Sequence, residues 1–281
     1  MKVIIILVLI ALAIFLIVIL VKHFLTKSRI KSAFANGSCC VYGRKGYGKD
    51  VLFAEMIKAR NEKYFSNLDY GYDFEHIDIK ELELKPNDYH HFINGQIEKV
   101  EKNEKLEGHD IYISDAGVYL PSQFDSYLHK VYPSLPIFYA LSRHLYNNGI
   151  HANAQSLGRI WKALREQADY YILLRKRCLK LPFFIVLFTT EYQRYESAQQ
   201  ELAPMKNTLF NKYSKAEVEK YKAQHGFIQN GLLIVPKCHL KYDSRAFHEI
   251  IFKDKAPRKE KLTWLKNLFK RSKKNEQSST E

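Results

Sequence analysis

The sequence predicts an α/β fold: a doubly wound, mainly parallel sheet with one N-terminal transmembrane helix. Three observations lead there. Val3 to Val21 is an unbroken apolar run. A glycine-rich loop, Gly43-Arg44-Lys45-Gly46-Tyr47-Gly48-Lys49-Asp50, lies between a strand-like piece and a helix-like piece. Beyond it, short apolar runs alternate with stretches of helical spacing, the order from which parallel sheets are built.

The apolar run has 19 residues, against the ~20 helical residues that a bilayer core takes. A cleaved signal peptide has a shorter apolar region, about 7–15 residues. Ala33-Phe34-Ala35 resembles a cleavage site but lies beyond Lys27, Arg29 and Lys31. The run is therefore expected to be an uncleaved anchor over residues 1–24, followed by a basic juxtamembrane linker over 25–37. Lys22, Lys27, Arg29 and Lys31 follow the span. The positive-inside bias then puts the rest of the chain in the cytoplasm.

Ser38-Cys39-Cys40-Val41-Tyr42 is a short apolar run of strand character. The loop after it meets the phosphate-binding pattern of Gly, four residues, Gly, Lys and a hydroxyl residue, except that Asp50 replaces the hydroxyl. Val51 to Lys63 follows with helical spacing. Strand, glycine loop and helix form the context in which backbone N–H groups and a helix N-terminus cradle phosphate oxygens. Lys49 adds a point charge for the β- and γ-phosphates. The alternative is a glycine-rich turn that binds nothing.

Further on, Phe74 to Ile79 alternates, and Gln96 to Glu107 has a charged, helical character. His90-His91 is read as polar surface, because adjacent side chains diverge. Ile111-Tyr112-Ile113-Ser114-Asp115 is a strand ending in a carboxylate. Such a strand supplies an acidic ligand to the Mg²⁺ shell in phosphate-loop proteins. Ala116 stands where a water-priming Glu often follows. Ser134 to His144 is expected to be helical, Gly149 to Gln155 a strand, and Ser156 to Glu166 one helix. Ala168 to Leu174 and Leu181 to Thr190 read as strands joined by the basic turn Arg175-Lys176-Arg177-Cys178. Phe183 to Phe188 is too short to span a membrane. Asn207 to Gln224 is Lys-rich and helical, and Gly231 to Val235 adds a strand. Lys255 to Lys274 is a basic amphipathic stretch suited to anionic lipid or nucleic-acid phosphates, or else a docked terminal helix.

The net charge of 44 − 30 = +14 points to an anionic partner, either nucleic acid or the inner face of a membrane. The four cysteines, Cys39, Cys40, Cys178 and Cys238, have neither metal-site nor disulfide-framework spacing. That excludes a small disulfide scaffold and fits a reducing compartment.

From about Ser38 to Phe247 the ordered set resembles the zonula occludens toxin (Zot)-like P-loop ATPases of filamentous phages, relatives of DNA-pumping translocases. Besides the loop, the resemblance rests on Asp115 with Pro121 six residues later. It also rests on Arg143-His144, Gly149-Ile150, Ala154-Gln155, Arg165 and Tyr242-Asp243-Ser244-Arg245. It implies a P-loop NTPase domain over 38–250, with a basic helix and tail over 251–281. It also implies ATP with Mg as cofactors, and Gly43 through Asp50 as the nucleotide cradle. Asp50 and Asp115 would be the metal ligands, directly or through water. Asp115, Gln155 and Arg165 would be catalytic, with Gln155 orienting water or sensing the γ-phosphate. Arg143 and Arg175, like Arg165, are candidates for an arginine finger. The implied partners are single-stranded DNA or a phage nucleoprotein, other phage assembly proteins, and further copies in a homo-oligomeric ring such as a hexamer. The implied place is the host inner membrane. The chain departs from the family at Asp50, at Ala116, and in placing its membrane span before the ATPase domain. A conjugation-type DNA pump, a non-hydrolysing membrane scaffold for virion assembly, and a membrane-surface adaptor with an accidental glycine loop stay open as alternatives.

Overall fold

The computed structural model describes residues 2–82, 94, 104–202, 213–226 and 229–242. His90-His91, most of Gln96 to Glu107, the start of Asn207 to Gln224, Asp243-Ser244-Arg245 and the basic stretch Lys255 to Lys274 lie outside the described residues.

Among the described residues nine strands form one sheet. In chain order these are β1 (Cys39–Tyr42), β2 (Tyr64–Ser66), β3 (Phe74–His76), β4 (Asp110–Ile113), β5 (Ile150–Ala154), β6 (Tyr170–Leu174), β7 (Leu179–Lys180), β8 (Phe184–Tyr192) and β9 (Gln229–Pro236). The sheet order is β3-β2-β4-β5-β1-β6-β8-β7, with β9 also paired to β8. The six strands from β3 to β6 in this order run parallel, and β7, β8 and β9 join antiparallel. This is the mainly parallel α/β sheet that the sequence predicts.

All four residues of β1 are buried, as are all five of β5. Such strands lose both faces to covering layers, so they read as continuous apolar runs rather than as alternations. Cys40 and Tyr42 join a core with Ile111, Ile113, Ala152, Leu135, Phe138 and Trp161. This face is covered by helices that include α5 (Leu135–Tyr146) and α6 (Lys162–Glu166). They follow two short helices, α3 (Ala116–Tyr119) and α4 (Asp125–Val131), and precede α7 (Tyr195–Gln199) and α8 (Lys215–His225). A second cluster stacks Phe34, Phe53, Tyr112 and His151, so α1 (Lys2–Asn36) and α2 (Lys49–Arg60) cover the opposite face.

Two expectations change. Residues 25–37, expected as a linker, continue α1 without a break to Asn36. The reason is packing: Thr26, Ile30 and Phe34 are buried against the domain. Ser156 to Glu166, expected as one helix, is a short 3-10 turn at Leu157–Arg159 followed by α6. Ile160 is extended because it bridges Pro121, and the Trp161 indole donates to Asp125 Oδ1 at 2.6 Å. These two tertiary contacts override helical spacing.

The docked half of α1 closes the sheet edge. The N–H of Leu232 donates to Thr26 Oγ1 at 3.2 Å, and that of Ile234 to His23 Nδ1 at 3.1 Å. Side chains thus satisfy the ladder groups that an edge strand leaves unpaired. Gly231 allows the close approach, since a Cβ there would stand 2.5 Å from the Thr26 methyl. Buried Glu55 of α2 accepts from Lys27 and His239, each at 2.6 Å. Arg29 pairs with Glu191 of β8 at 3.0 Å. His239 is thereby held against Glu55 at 2.6 Å.

The apolar half of α1 is exposed along its length and is long and apolar enough to cross a membrane. Phe34→Ala should cost about 3–5 kcal/mol of stability, the usual loss for emptying a buried aromatic site. Denaturant unfolding of the detergent-solubilised chain measures it.

Candidate functional site

The glycine loop leaves β1 at the carboxyl edge of the parallel strands, where open α/β sheets bind ligands. The Gly43 N–H donates to the Ala154 carbonyl at 3.2 Å, tying the loop to the end of β5. The Tyr47 N–H donates to the Arg44 carbonyl, which curls the loop. Gly48 has φ 94°, and a Cβ on it would stand 2.5 Å from Leu187 of β8. Both facts demand glycine there. Gly48 is the N-cap of α2 and brings no side chain, so the first N–H groups of α2 are left for an anion. Lys49 is buried, and its Nζ donates to the Gly43 carbonyl at 3.2 Å, folding the charge back over the loop. Arg44, Lys45 and Gly46 are exposed at the rim.

Asp50 lies in the first turn of α2 and faces a set of polar groups from three other segments. Its Oδ1 accepts from Asn153 Nδ2 at 3.0 Å, from the Tyr70 hydroxyl at 3.2 Å and from Ser114 Oγ at 3.3 Å. Tyr70 and Ser114 are also in direct contact with each other. Burial first, and the Asp50 charge second, push the Tyr70 phenol well above its ordinary pKa, which keeps it protonated. In the usual phosphate-loop site the helix brings a hydroxyl and the second strand brings a carboxylate. Here the helix brings the carboxylate Asp50, and the end of β4 brings the hydroxyl Ser114. The end of β4 also brings the carboxylate Asp115, so the site holds a second acid where the helix hydroxyl would stand.

Asp115 follows Ser114 in the left-handed region, at φ 46°, and its N–H donates to Asn153 Oδ1 at 3.0 Å. Burial first, then the Asp50 charge, raises its carboxyl above the ordinary aspartate value, while Lys49 and Lys45 pull it down. The two carboxylates therefore sense one another beside the loop lysine. Two acids with few other ligands suit Mg²⁺, which keeps several waters and binds through one or two carboxylates plus phosphate. Among the described residues no group of three or more His, Cys, Asp and Glu side chains could hold a metal by itself.

Beside the loop opens a cleft of about 720 Å³, lined among others by Gly43, Arg44, Tyr47, Gln155 and Arg175. Gln155 is exposed there, and its Oε1 accepts from Arg159 at 3.1 Å. Arg175 donates from Nε to the Thr189 carbonyl at 3.1 Å. The other two arginines lie elsewhere. Arg165 donates to the carbonyls of Gly158 and Ile160, lies over the Tyr195 ring, and is not among the cleft-lining residues. Arg143 pairs with Asp169 at 3.3 Å, and Asp169 Oδ2 accepts the Ser38 N–H just before β1. That puts Arg143 at the amino edge of the sheet, opposite the loop.

Sequence reading missed Tyr70, Ser114 and Asn153. Ser114 stood within the strand already singled out. Asn153 likewise stood within the strand read at Gly149 to Gln155, and only Tyr70 carries no local signal.

No family model and no curated protein matches the chain. Among solved structures, it is similar to the genome packaging NTPase B204 of Sulfolobus turreted icosahedral virus 2 in complex with AMP. The identity is 16%, the match covers 53% of this chain and 78% of that one, and the TM-score is 0.33. It is also similar to the N-terminal domain of zonular occludens toxin from Neisseria meningitidis. There the identity is 12%, the coverage 75% and 97%, and the TM-score 0.36. A third similar structure is the ATPase DotB of Legionella pneumophila, at 12% identity, 81% and 64% coverage and TM-score 0.32.

Because the folded chain holds the Asp115 carboxyl above its ordinary pKa, protonation favours folding. That contribution is complete below the ordinary aspartate value and is lost as pH rises through the folded value. Asp115→Asn should therefore raise the unfolding temperature at pH 7 and leave it nearly unchanged near pH 3. Paired thermal scans at the two pH values provide the check.

Proposed function

We propose that the chain is a membrane-anchored P-loop ATPase that drives DNA translocation, or phage assembly and extrusion, through the host inner membrane. The supporting observation is the phosphate loop at the carboxyl edge of a parallel sheet, with Lys49, Asp50 and Asp115 gathered around it. In this reading the N–H groups from Gly43 to Asp50 and the Lys49 ammonium bind the triphosphate. Asp50 would hold Mg²⁺, with Asp115 completing its shell through water. The metal would supply charge neutralisation to the β- and γ-phosphate oxygens. Ser114, Tyr70 and Asn153 fix the Asp50 carboxylate by donating to it.

Asp115 is also the acid nearest to a water-priming role, which its raised pKa suits. Gln155, exposed in the cleft, orients the attacking water or senses the γ-phosphate. Arg175 acts from within its own cleft. Arg165 and Arg143 are engaged in internal contacts, and a finger role for either would need a neighbouring copy in a ring. The charge of +14 favours single-stranded DNA or a phage nucleoprotein as cargo. The apolar run with its basic following segment favours a single-pass anchor with the ATPase in the cytoplasm.

One observation favours a second reading. A carboxylate at position 50 adds negative charge next to the phosphates. A chain that binds nucleotide without turning it over would then be a virion-assembly scaffold.

ATP turnover by the full chain in lipid nanodiscs, with and without single-stranded DNA, tests the proposal. Turnover should rise with DNA, and Lys49→Ala should lower it by about 100-fold or more, the scale of losing one preorganised charge stabiliser. Asp50→Thr should also lower it. Binding without turnover in the natural chain, with activity appearing in Asp50→Thr, would overturn the motor in favour of the scaffold.

A further inference from the structure

The β7–β8 hairpin ends in an apolar tip. Leu179 is 51% exposed, Leu181 40%, Phe183 76% and Phe184 43%. The tip is built as a tight turn, because the Leu181 N–H donates to the Phe184 carbonyl at 2.8 Å. The Lys237 N–H donates to the Phe183 carbonyl at 2.9 Å, fixing the turn to the end of β9. The turn is ordered by its own backbone bonds, yet its largest side chains are left open to the surroundings.

Strand register places this tip relative to α1. Ile234 bonds His23, Ile234 pairs with Val186, and Val186 pairs with Leu179. His23 and Leu179 thus lie on one row across the sheet. Leu232 bonds Thr26, so lower numbers on α1 go with higher numbers on β9, toward Pro236 and its partner Phe184. The apolar run and the hairpin tip therefore leave the sheet at the same end. From the shared row, two residues of strand carry the chain about 7 Å to Phe184. Along α1, two residues from His23 to Val21 rise about 3 Å. The tip reaches at least as far as the point where the apolar run begins.

Exposed cations lie beside it and behind it: Lys180 within β7, Lys237 after β9 and Lys22 on α1, with Lys176 and Arg177 further back at the base of the hairpin. From Arg175 to Phe188 the sequence has no acidic residue. Aromatic and aliphatic tips with cations beside and behind them match the boundary between acyl chains and anionic headgroups.

We propose that the β7–β8 tip is a second membrane contact. Leu181, Phe183 and Phe184 enter the headgroup–acyl boundary of an anionic leaflet beside α1, and Lys180 faces the lipid phosphates. The proposal rests on the reading of α1 as a membrane span. Of the stretch too short to cross the bilayer, only the first two residues, Phe183 and Phe184, are open to it, since Ile185, Val186 and Leu187 are buried in the sheet. The base of the same hairpin touches the phosphate loop: Cys178 Sγ donates to the Gly46 carbonyl at 3.3 Å, and Leu187 packs where a Gly48 Cβ would stand.

The test uses the full chain in vesicles of phosphatidylcholine and phosphatidylglycerol, with Cys238→Ser removing the exposed thiol, since the other three cysteines are buried. A fluorescent nitrobenzoxadiazole label is placed, one site at a time, at Phe183→Cys, Leu12→Cys and Ala35→Cys. Doxyl-labelled phosphatidylcholine should quench position 12 strongly and position 183 about twofold, and should leave position 35 unchanged. Quenching at 12 without quenching at 183 would overturn the hairpin contact and leave the anchor standing. No quenching at 12 would overturn the anchor, and the hairpin proposal with it. A blue-shifted but unquenched label at 183 that responds to protein density would assign the tip to a second copy of the chain, which also overturns the lipid contact.

Discussion

A parallel sheet covered on both faces offers a polar ligand no access except along its edges. In this chain β1, β4 and β5 are buried throughout, and aromatic side chains from α1 and α2 close one face. Backbone groups at the carboxyl ends of these strands must then be satisfied by loops that meet there. The glycine loop, the Ser114-Asp115 turn and the residues after β5 converge for that reason. Gly43 donating to Ala154 is one direct sign of it.

The unusual charge at this edge is handled locally. A carboxylate taken from water needs hydrogen-bond donors or a counter-charge. Asp50 receives three neutral donors, from α2's neighbours on β4 and β5 and from the segment after β2. Neutral donors hold the group in place without cancelling its charge. That charge remains available to a cation, and it adds to burial, the larger cause, in raising the Asp115 carboxyl pKa. A hydroxyl in place of Asp50 would leave Tyr70, Ser114 and Asn153 competing for one weaker acceptor.

Much of the fold was legible because it obeys local rules. The glycine loop, the buried strands and the apolar run each have a short-range pattern, and β1, β4, β5 and β9 fall where those patterns put them. What was not legible depends on distant pairs. Asn153 meets Asp50 across 103 residues of chain, and His239 meets Glu55 across 184. Ser156 to Glu166 was misread as one helix because Pro121 and Asp125 hold its middle extended. The same distance effect hid the docking of α1. Nothing local distinguishes a helix that ends at the bilayer from one that continues onto β9. Arg165, given a catalytic role by the resemblance alone, donates within its own chain to the carbonyls of Gly158 and Ile160, contacts that no local pattern announces.

The unbroken path of α1 from the apolar run to Phe34 turns the junction into a shaft rather than a tether. A flexible tether tolerates added or lost residues, because slack absorbs them. A continuous helix does not: each residue advances the chain by ~1.5 Å and about 100°. One residue inserted between Val21 and His23 would keep every contact on either side and still swing the whole domain about the helix axis. The length of this segment therefore sets the rotational phase between the apolar run and the phosphate loop.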